Sequence, residues 1–232
     1  MKITWLGHSA FRIETGNSVV MVDPFLSGNP KFEGDPLEAA AGATHIALTH
    51  GHDDHIGDTV AIAEGTGAQL IACFEICQYL AGKGLNDFEP ANMGGTIYTE
   101  DFDVTFVRAD HSSATLADGG ITYLGNPCGL VFRPKEGPTV YHMGDTDIFA
   151  DMALVNELYK PDVGIVPIGD RFTMNPRSAA LACRRYFDFS TVLPCHYMTF
   201  PLLEQSADGF VEAMGDRGDR VKALDIGGSV TV

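Results

Sequence analysis

Short apolar runs separated by turn residues open the chain. Runs rich in β-branched and aromatic residues are typical of strands, whereas apolar residues spaced three or four apart are typical of helices. Up to Gly82, these patterns predict strands at Lys2–Leu6, Ala10–Glu14, Ser18–Val22, Thr44–Leu48 and Gln69–Ala72, a loop at Leu26–Asp35, and helices at Ile56–Glu64 and Glu75–Ala81.

Strands dominate the middle of the chain, and strands alternate with helices after it. The predicted strands lie at Thr96–Thr99, Val104–Arg108, Ile121–Gly125, Leu130–Arg133, Thr139–Met143, Val163–Pro167, Thr191–Pro194, Val221–Leu224 and Ser229–Val232, and the predicted helices at Ile148–Tyr159, Pro176–Tyr186 and Leu202–Met214. This order favours an α/β fold in which two packed sheets have helices outside. No low-complexity linker interrupts it, so residues 1–232 are predicted to form a single domain.

The composition disfavours several classes of protein. Acidic residues outnumber basic ones by 31 to 15, and the resulting net charge of −16 disfavours binding to nucleic acid. No segment approaches the roughly 20 apolar residues of a membrane-spanning helix, and the N-terminal MKITWLGHSA does not have the pattern of a signal peptide. The five cysteines lack the CxxC spacing of metal ribbons. We therefore expect a cytoplasmic protein without membrane partners.

Histidines and aspartates are concentrated in one decapeptide, THGHDDHIGD, at residues 49–58. His50 and His52 are two positions apart, so their imidazoles would point the same way from an extended backbone. Asp54 and His55 would project from the start of the following helix. Because packing these groups together without cations costs desolvation, the segment predicts ligands for borderline metals such as zinc.

Three further candidate ligands lie downstream, and each follows an apolar strand. They are His111, Asp145 and His196. Side chains delivered from the carboxyl ends of strands can meet at one edge of a pair of packed sheets. The sequence therefore predicts that these three residues complete the metal sites that the decapeptide begins.

The order of these residues resembles the metallo-β-lactamase superfamily, whose members carry a T-H-x-H-x-D-H core followed by single His, Asp and His ligands. The resemblance extends from Asp23 in MVDPF to His196. The segments WLGHSAFRIE, GDTDIF, PIGDRFTMNPRSAA and LPCHYMTFP resemble more closely a bacterial branch of metal-dependent hydrolases related to ascorbate-phosphate lactonases. The resemblance implies a four-layer αββα sandwich, in which helices flank two mixed β-sheets.

Two divalent metal ions are implied by the resemblance, with zinc favoured and manganese as an alternative. The implied ligands are His50, His52 and His111 for one metal, Asp54, His55 and His196 for the other, and Asp145 as the bridge between them. Asp23 would orient a ligand histidine or the loop that carries the motif.

Four other residues are candidates for contact with the substrate. His8 lies on the loop after the first predicted strand, and Arg171, Thr173 and Tyr197 follow later strands. Arg171 departs from the bacterial branch, in which we expect a histidine or a similar residue at that position. His45, His142 and Cys195 are interpreted as structural.

The resemblance implies hydrolysis of an ester, lactone, amide or phosphodiester bond in a small metabolite. A hydroxide held between the two metals would attack, and Asp54 would orient it or transfer a proton. Two alternatives stay open: an iron redox enzyme, either di-iron or mononuclear and resembling persulfide dioxygenases, and a non-catalytic metal-binding protein. Flavin-linked di-iron oxygen reductases, which share this scaffold, carry an H-x-E-x-D-H motif with a glutamate at the position of His52. A carboxylate there suits iron, so the imidazole of His52 favours zinc and hydrolysis. A homo-oligomer would be compatible with the sequence.

Overall fold

The computed structural model describes all residues from Met1 to Val232. Its strands, β1 to β15, are Lys2–Trp5, Phe11–Thr15, Ser18–Val22, His45–Ala47, Gln69–Cys73, Phe88–Ala91, Thr96–Tyr98, Phe102–Arg108, Ala114–Thr115, Thr122–Tyr123, Cys128–Pro134, Val140–His142, Val163–Pro167, Thr191–Cys195 and Ser229–Thr231. Its helices, α1 to α7, are Pro36–Ala39, Asp53–Ile56, Thr59–Thr66, Phe74–Ala81, Met152–Tyr159, Pro176–Tyr186 and Asp208–Met214, and a 3₁₀ helix spans Gly215–Arg220.

Two mixed sheets form the framework. The first has the order β15-β1-β2-β3-β4-β5-β6, and the second has the order β14-β13-β12-β11-β8-β7. In the first sheet β3 to β6 are parallel, and in the second β12 to β14 are parallel. A hairpin of β9 and β10 stands apart as a two-stranded sheet. The predicted α/β fold of two mixed sheets with flanking helices is confirmed.

The core explains why these segments are strands. All five residues of β13 are buried, as expected for a parallel strand covered on both faces. One hydrophobic cluster of 59 buried residues includes side chains from both sheets. The last long helix, α6, begins where predicted because Asn175 accepts hydrogen bonds from Arg177 N and Ser178 N, and Pro176 occupies its first turn.

Several predicted elements differ from the structure. The helix predicted at Ile56–Glu64 is two helices, because Gly57 adopts φ 43° and ends α2. The strand predicted at Ile121–Gly125 is only the short β10, and Val221–Leu224 forms a single bridge through Val221. The strand β6 was not predicted, since Pro90 and the neighbouring Glu89 obscure its pattern.

The strand directions place one edge of the sandwich close to the candidate chemistry. The decapeptide follows β4, and His111, Asp145 and His196 follow β8, β12 and β14 respectively. The strands β8 and β12 both run antiparallel to β11, and β14 is parallel to β12 through β13. Their carboxyl ends therefore lie at the same edge. None of the helices has the length and apolar character to cross a membrane.

Candidate metal centre

Seven His and Asp side chains meet at this edge and form what we call the His/Asp cluster. Its members are His50, His52, Asp54, His55, His111, Asp145 and His196, together with an eighth residue, His8, which the structure adds. His8 follows β1, so five strand ends deliver these residues from positions up to 188 residues apart, from His8 to His196. The structure thus brings together all seven residues that the sequence predicts as ligands.

The first group of donors consists of His50, His52 and His111. Their candidate ligand atoms lie within 4.8 Å of one another. His50 Nε2 is 3.0 Å from His52 Nδ1. Thr49 donates its hydroxyl hydrogen to Asp23, so its oxygen accepts the Nδ1–H of His50 at 3.0 Å. His50 Nε2 is therefore left with a free lone pair that faces the other donors.

The second group of donors consists of His8, Asp54, His55 and His196, again within 4.8 Å of one another. His8 Nε2 lies 3.0 Å from Asp54 Oδ2, and His8 Nδ1 contacts Thr199 Oγ1 at 3.0 Å. The Asp54 side chain is 31% exposed, while those of the histidines are buried. Asp54 is thus the member of this group that an incoming molecule can reach.

One oxygen of Asp145 connects the two groups. Asp145 Oδ2 lies within 4.0 Å of the Nε2 atoms of four histidines: 2.9 Å from His196, 3.4 Å from His55, 3.6 Å from His111 and 4.0 Å from His50. Two of these histidines belong to each group. A carboxylate in this position can serve both groups at once.

Asp23 supports the cluster from behind. Its carboxylate accepts hydrogen bonds from Thr49 N at 2.8 Å, from the Thr49 hydroxyl at 2.6 Å and from His55 Nδ1 at 2.8 Å. Asp23 is completely buried. It therefore holds the start of the decapeptide and fixes the tautomer of His55, whose Nε2 is turned toward Asp145.

The charges of the cluster shift the pKa values of its members. Burial lowers the pKa of His55, but the surrounding carboxylates, Asp145 foremost, outweigh burial and raise it well above the usual value. Burial and the neighbouring His55 lower the pKa of His50 well below its usual value. Burial opposes ionisation of Asp145, but His196 and His55 hold its pKa well below the usual range. The carboxylates of the cluster therefore stabilise positive charge placed among them.

Three residues of the site adopt left-handed backbone conformations that are uncommon for residues other than glycine. They are His8 at φ 51°, Asp23 at φ 44° and His196 at φ 57°. Such conformations cost free energy and persist where the surrounding structure imposes them. Their concentration here shows that the fold holds these three side chains in fixed directions.

The family model described as "Beta-lactamase superfamily domain" matches residues 2–196, which is most of the chain. The chain belongs to the metallo-β-lactamase superfamily.

Relatives within the metallo-β-lactamase superfamily match nearly the whole chain. A metal-dependent hydrolase of Methylocella silvestris is 60% identical over 228 residues, covering 98% of both chains. One of Brucella anthropi is 56% identical over 232 residues, covering 99% of both. A solved structure of a metallo hydrolase from Ignicoccus hospitalis is 32% identical with a TM-score of 0.87, covering 99% of this chain and 97% of that one. The predicted bacterial branch of the superfamily is confirmed.

The residues predicted to contact the substrate lie in different places. His8 is in the cluster, but Tyr197 is buried and its ring stacks on Trp5 at 5.1 Å. Arg171 is exposed on the loop after β13, and Thr173 Oγ1 bonds to the backbone oxygen of Met174. Arg171, Thr173 and Tyr197 do not line the cleft beside the cluster, whose lining includes Phe25, Asp54 and Phe200.

Sequence reasoning missed two aspects of the site. His8 was expected either to contact the substrate or to make a local hydrogen bond, because a lone histidine has no spacing partner, yet it bonds Asp54, 46 positions away. Ser113 was not singled out, although its hydroxyl accepts from Gly51 N and donates to Leu124 O. Small polar residues in loops carry no periodic signal. Only the folded contacts reveal them.

The donor set of this metallo-β-lactamase site fits divalent metal ions. His55 Nε2 and Asp145 Oδ1 are buried without any hydrogen-bond partner. Buried polar atoms normally have partners, so unpaired atoms inside a ring of imidazoles and carboxylates point to a cation. The mixture of nitrogen and oxygen donors without thiolate suits zinc or manganese sites that keep open positions.

Proposed function

We propose that this metal-dependent hydrolase of the metallo-β-lactamase superfamily uses two divalent metals to cleave an ester, lactone or phosphodiester bond in a small metabolite. The observation that carries the proposal is the position of Asp145, whose Oδ2 lies within 4.0 Å of two histidines from each donor group. His50, His52 and His111 would hold one metal, Asp54, His55 and His196 the other, with Asp145 shared. Metals bound there supply a water that is ionised near neutral pH and a Lewis acid for the oxygen of the substrate.

The protein's own groups position the reactants. Asp54 is the exposed carboxylate of the cluster, and neighbouring His55 and His8 hold its pKa well below the usual range despite its burial. As a carboxylate it can only accept hydrogen bonds, so it orients a water molecule by accepting a hydrogen bond from that water. His8 fixes the orientation of Asp54 through the 3.0 Å contact of its Nε2. The leaving group of a bound substrate would lie in the cleft on the exposed side of Asp54.

The donor types support hydrolysis over iron redox chemistry. The seven predicted ligands comprise five imidazoles and two carboxylates. His52 places an imidazole at the position where di-iron oxygen reductases of the same scaffold carry a glutamate. Imidazole-rich sites suit zinc, whereas additional carboxylates suit iron. The net charge of −16 disfavours a nucleic-acid substrate and so supports a small molecule. The proposal places this reaction in the cytoplasm. A homo-oligomer is compatible with this function.

The test combines metal analysis with a substrate panel. Purified protein should contain about two zinc or manganese ions per chain by mass spectrometry and should hydrolyse at least one member of a panel of lactones, thioesters and phosphodiesters. Oxygen uptake without hydrolysis, together with bound iron, would overturn the proposal in favour of redox chemistry. The Asp145→Asn variant should lose metal and activity, whereas His45→Gln, which changes a histidine paired with Thr44 outside the cluster, should keep both.

A second variant separates catalysis from a purely structural role for the metals. His50→Ala removes a buried donor from the first group. We expect this variant to keep its circular dichroism spectrum while losing hydrolysis, because the core of the sandwich does not depend on the cluster. A variant that fails to fold would indicate that the metals serve structure instead.

A further inference from the structure

The cleft beside the cluster has a composition that restricts the substrate. It has a volume of about 640 Å³. Its lining residues include His52 and Asp54 of the cluster, the pair Phe25 and Phe200, which we call the first wall, and the pair Leu116 and Ile121, which we call the second wall. A molecule whose reacting bond is held at the cluster therefore has room for its remaining atoms beside these apolar side chains.

The aromatic wall is fixed to the cluster. The rings of Phe25 and Phe200 lie 6.3 Å apart, and each packs edge-on against the imidazole of His8, at 5.7 and 5.6 Å between centroids. His8 is completely buried and bonds Asp54. The aromatic wall and the exposed carboxylate therefore keep a constant relative position.

The second wall belongs to the hairpin of β9 and β10, residues 114–123. The carboxylate of Asp53 accepts hydrogen bonds from Thr115 Oγ1 and from Leu116 N, and so ties this hairpin to the decapeptide. Leu116 is 63% exposed and Ile121 is 81% exposed. Covering these two large, exposed apolar side chains with another apolar group removes them from water, which lowers the free energy of the complex.

The charges in the cleft oppose an anionic group. The residues that line it include two aspartates, Asp53 and Asp54, and no lysine or arginine. The whole chain has a net charge of −16. A phosphate or carboxylate between the walls would meet no cationic side chain, and its desolvation would be uncompensated.

From these observations we infer that the substrate carries an uncharged apolar group, of the size of a phenyl ring or a short alkyl chain, which packs between Phe25 and Phe200 on one side and Leu116 and Ile121 on the other. The inference rests on the proposed function, because it places the reacting bond at the cluster. It favours substrates that carry an apolar group next to the reacting bond and disfavours phosphorylated sugar lactones.

Binding of metal-chelating hydroxamates to zinc-loaded protein tests the inference without turnover. Acetohydroxamate, hexanohydroxamate and an analogue of hexanohydroxamate ending in a carboxylate differ only in what they place in the cleft. By titration calorimetry, hexanohydroxamate should bind at least about 10-fold more tightly than acetohydroxamate, since burial of a few methylene groups supplies that factor. The carboxylate analogue should lose this gain.

Variants assign the gain to the second wall. The double variant Leu116→Asn/Ile121→Asn should bind acetohydroxamate as the unchanged protein does, but should lose most of the preference for the longer chain. Leu158→Asn replaces a leucine that is 68% exposed on α5 and does not line this cleft, so it should keep the preference. Equal affinities for the three hydroxamates, or a preference that survives the double variant, would overturn the inference.

These outcomes are separate from failure of the proposed function. Equal hydroxamate affinities combined with hydrolysis of phosphorylated lactones would refute the apolar subsite and leave the hydrolase intact. A preserved preference for the apolar chain, with no hydrolysis of any ester, lactone or phosphodiester, would refute the hydrolase and retain the apolar binding site.

Discussion

At the scale of single residues, Asp23 links the decapeptide to the first sheet. Its carboxylate receives three hydrogen bonds from Thr49 and His55 and makes no contact that would place it among the donors of the cluster. Partners of this kind set the tautomer and direction of metal-binding histidines, and their loss typically costs 10–100-fold in metal affinity.

The Asp23→Asn variant should therefore bind zinc about 10- to 100-fold more weakly, because the amide nitrogen can only donate where the carboxylate accepts. Competition with a chromophoric chelator measures the change. Asp101→Asn is a matched control, since Asp101 also accepts bonds from a backbone N–H and a hydroxyl, those of Asn17 and Ser18. Equal zinc affinities in the two variants would contradict the role given to Asp23.

His8 provides the second prediction at this scale. Burial and the neighbouring His196 lower the pKa of His8 to about 4, so the ring is neutral at pH 7. The His8→Phe variant keeps an aromatic ring between Phe25 and Phe200 but removes the contact with Asp54. We expect a fall in turnover of about 10- to 100-fold, with an unchanged melting temperature or a small decrease. Wild-type turnover in this variant would show that Asp54 needs no support from His8.

The residues of the site differ in how far the sequence predicts them. The seven predicted ligands are recognisable because their order and their positions after apolar strands form a pattern. His8 has no such pattern, and its partners Asp54 and Thr199 are 46 and 191 positions away. Tyr197 adjoins a predicted ligand in sequence, yet its ring faces Trp5. Neighbours along the chain and neighbours in space coincide only where the backbone direction is known.

At the scale of elements, the ends of β13 and β14 approach each other closely. A Cβ atom added at Gly169 would lie 2.0 Å from the carbonyl oxygen of His196 and 2.9 Å from His196 Nδ1. Real Cβ atoms do not approach other atoms so closely, so the backbone carrying His196 would have to move. Glycine at this position allows His196 to reach the cluster.

Gly169→Ala should destabilise the protein by roughly 1–3 kcal/mol through this overpacking and should weaken metal binding at the second group. Chemical denaturation and zinc titration measure the two effects. Gly120→Ala serves as the control because nothing lies within 4 Å of a Cβ there, and its stability should stay within about 0.5 kcal/mol of wild type. Unchanged zinc affinity in Gly169→Ala would mean that His196 is not restrained by this contact.

The elements that sequence patterns predicted least well are those decided by tertiary contacts. The continuous helical pattern after residue 55 is broken because Gly57 must take φ 43°, where an added Cβ would lie 2.5 Å from the backbone of Phe25. The hairpin of β9 and β10 depends on Asp53, which is 62 positions before Thr115. The buried strands β3, β8 and β13 required no such information, because their apolar runs are sufficient.

At the scale of the whole molecule, the core and the cluster are separate sources of stability. The 59 core residues span both sheets, whereas the cluster lies at one edge and consists of buried polar groups, several without partners. The core alone can hold the fold together, since its apolar burial is independent of any ion. The unpaired donors and the negative balance of the chain both favour cations at the edge.

Removal of metal by a chelator should therefore leave the protein folded but less stable. A ligand at about 100 times its dissociation constant stabilises the native state by about 2.7 kcal/mol, which for a chain of this size corresponds to roughly 5–10 °C in melting temperature. Calorimetry with increasing free zinc should show the melting temperature rising with concentration, and Asp145→Asn should show little of that rise. Loss of the circular dichroism spectrum on chelation would instead assign the metals to the folding of the sandwich.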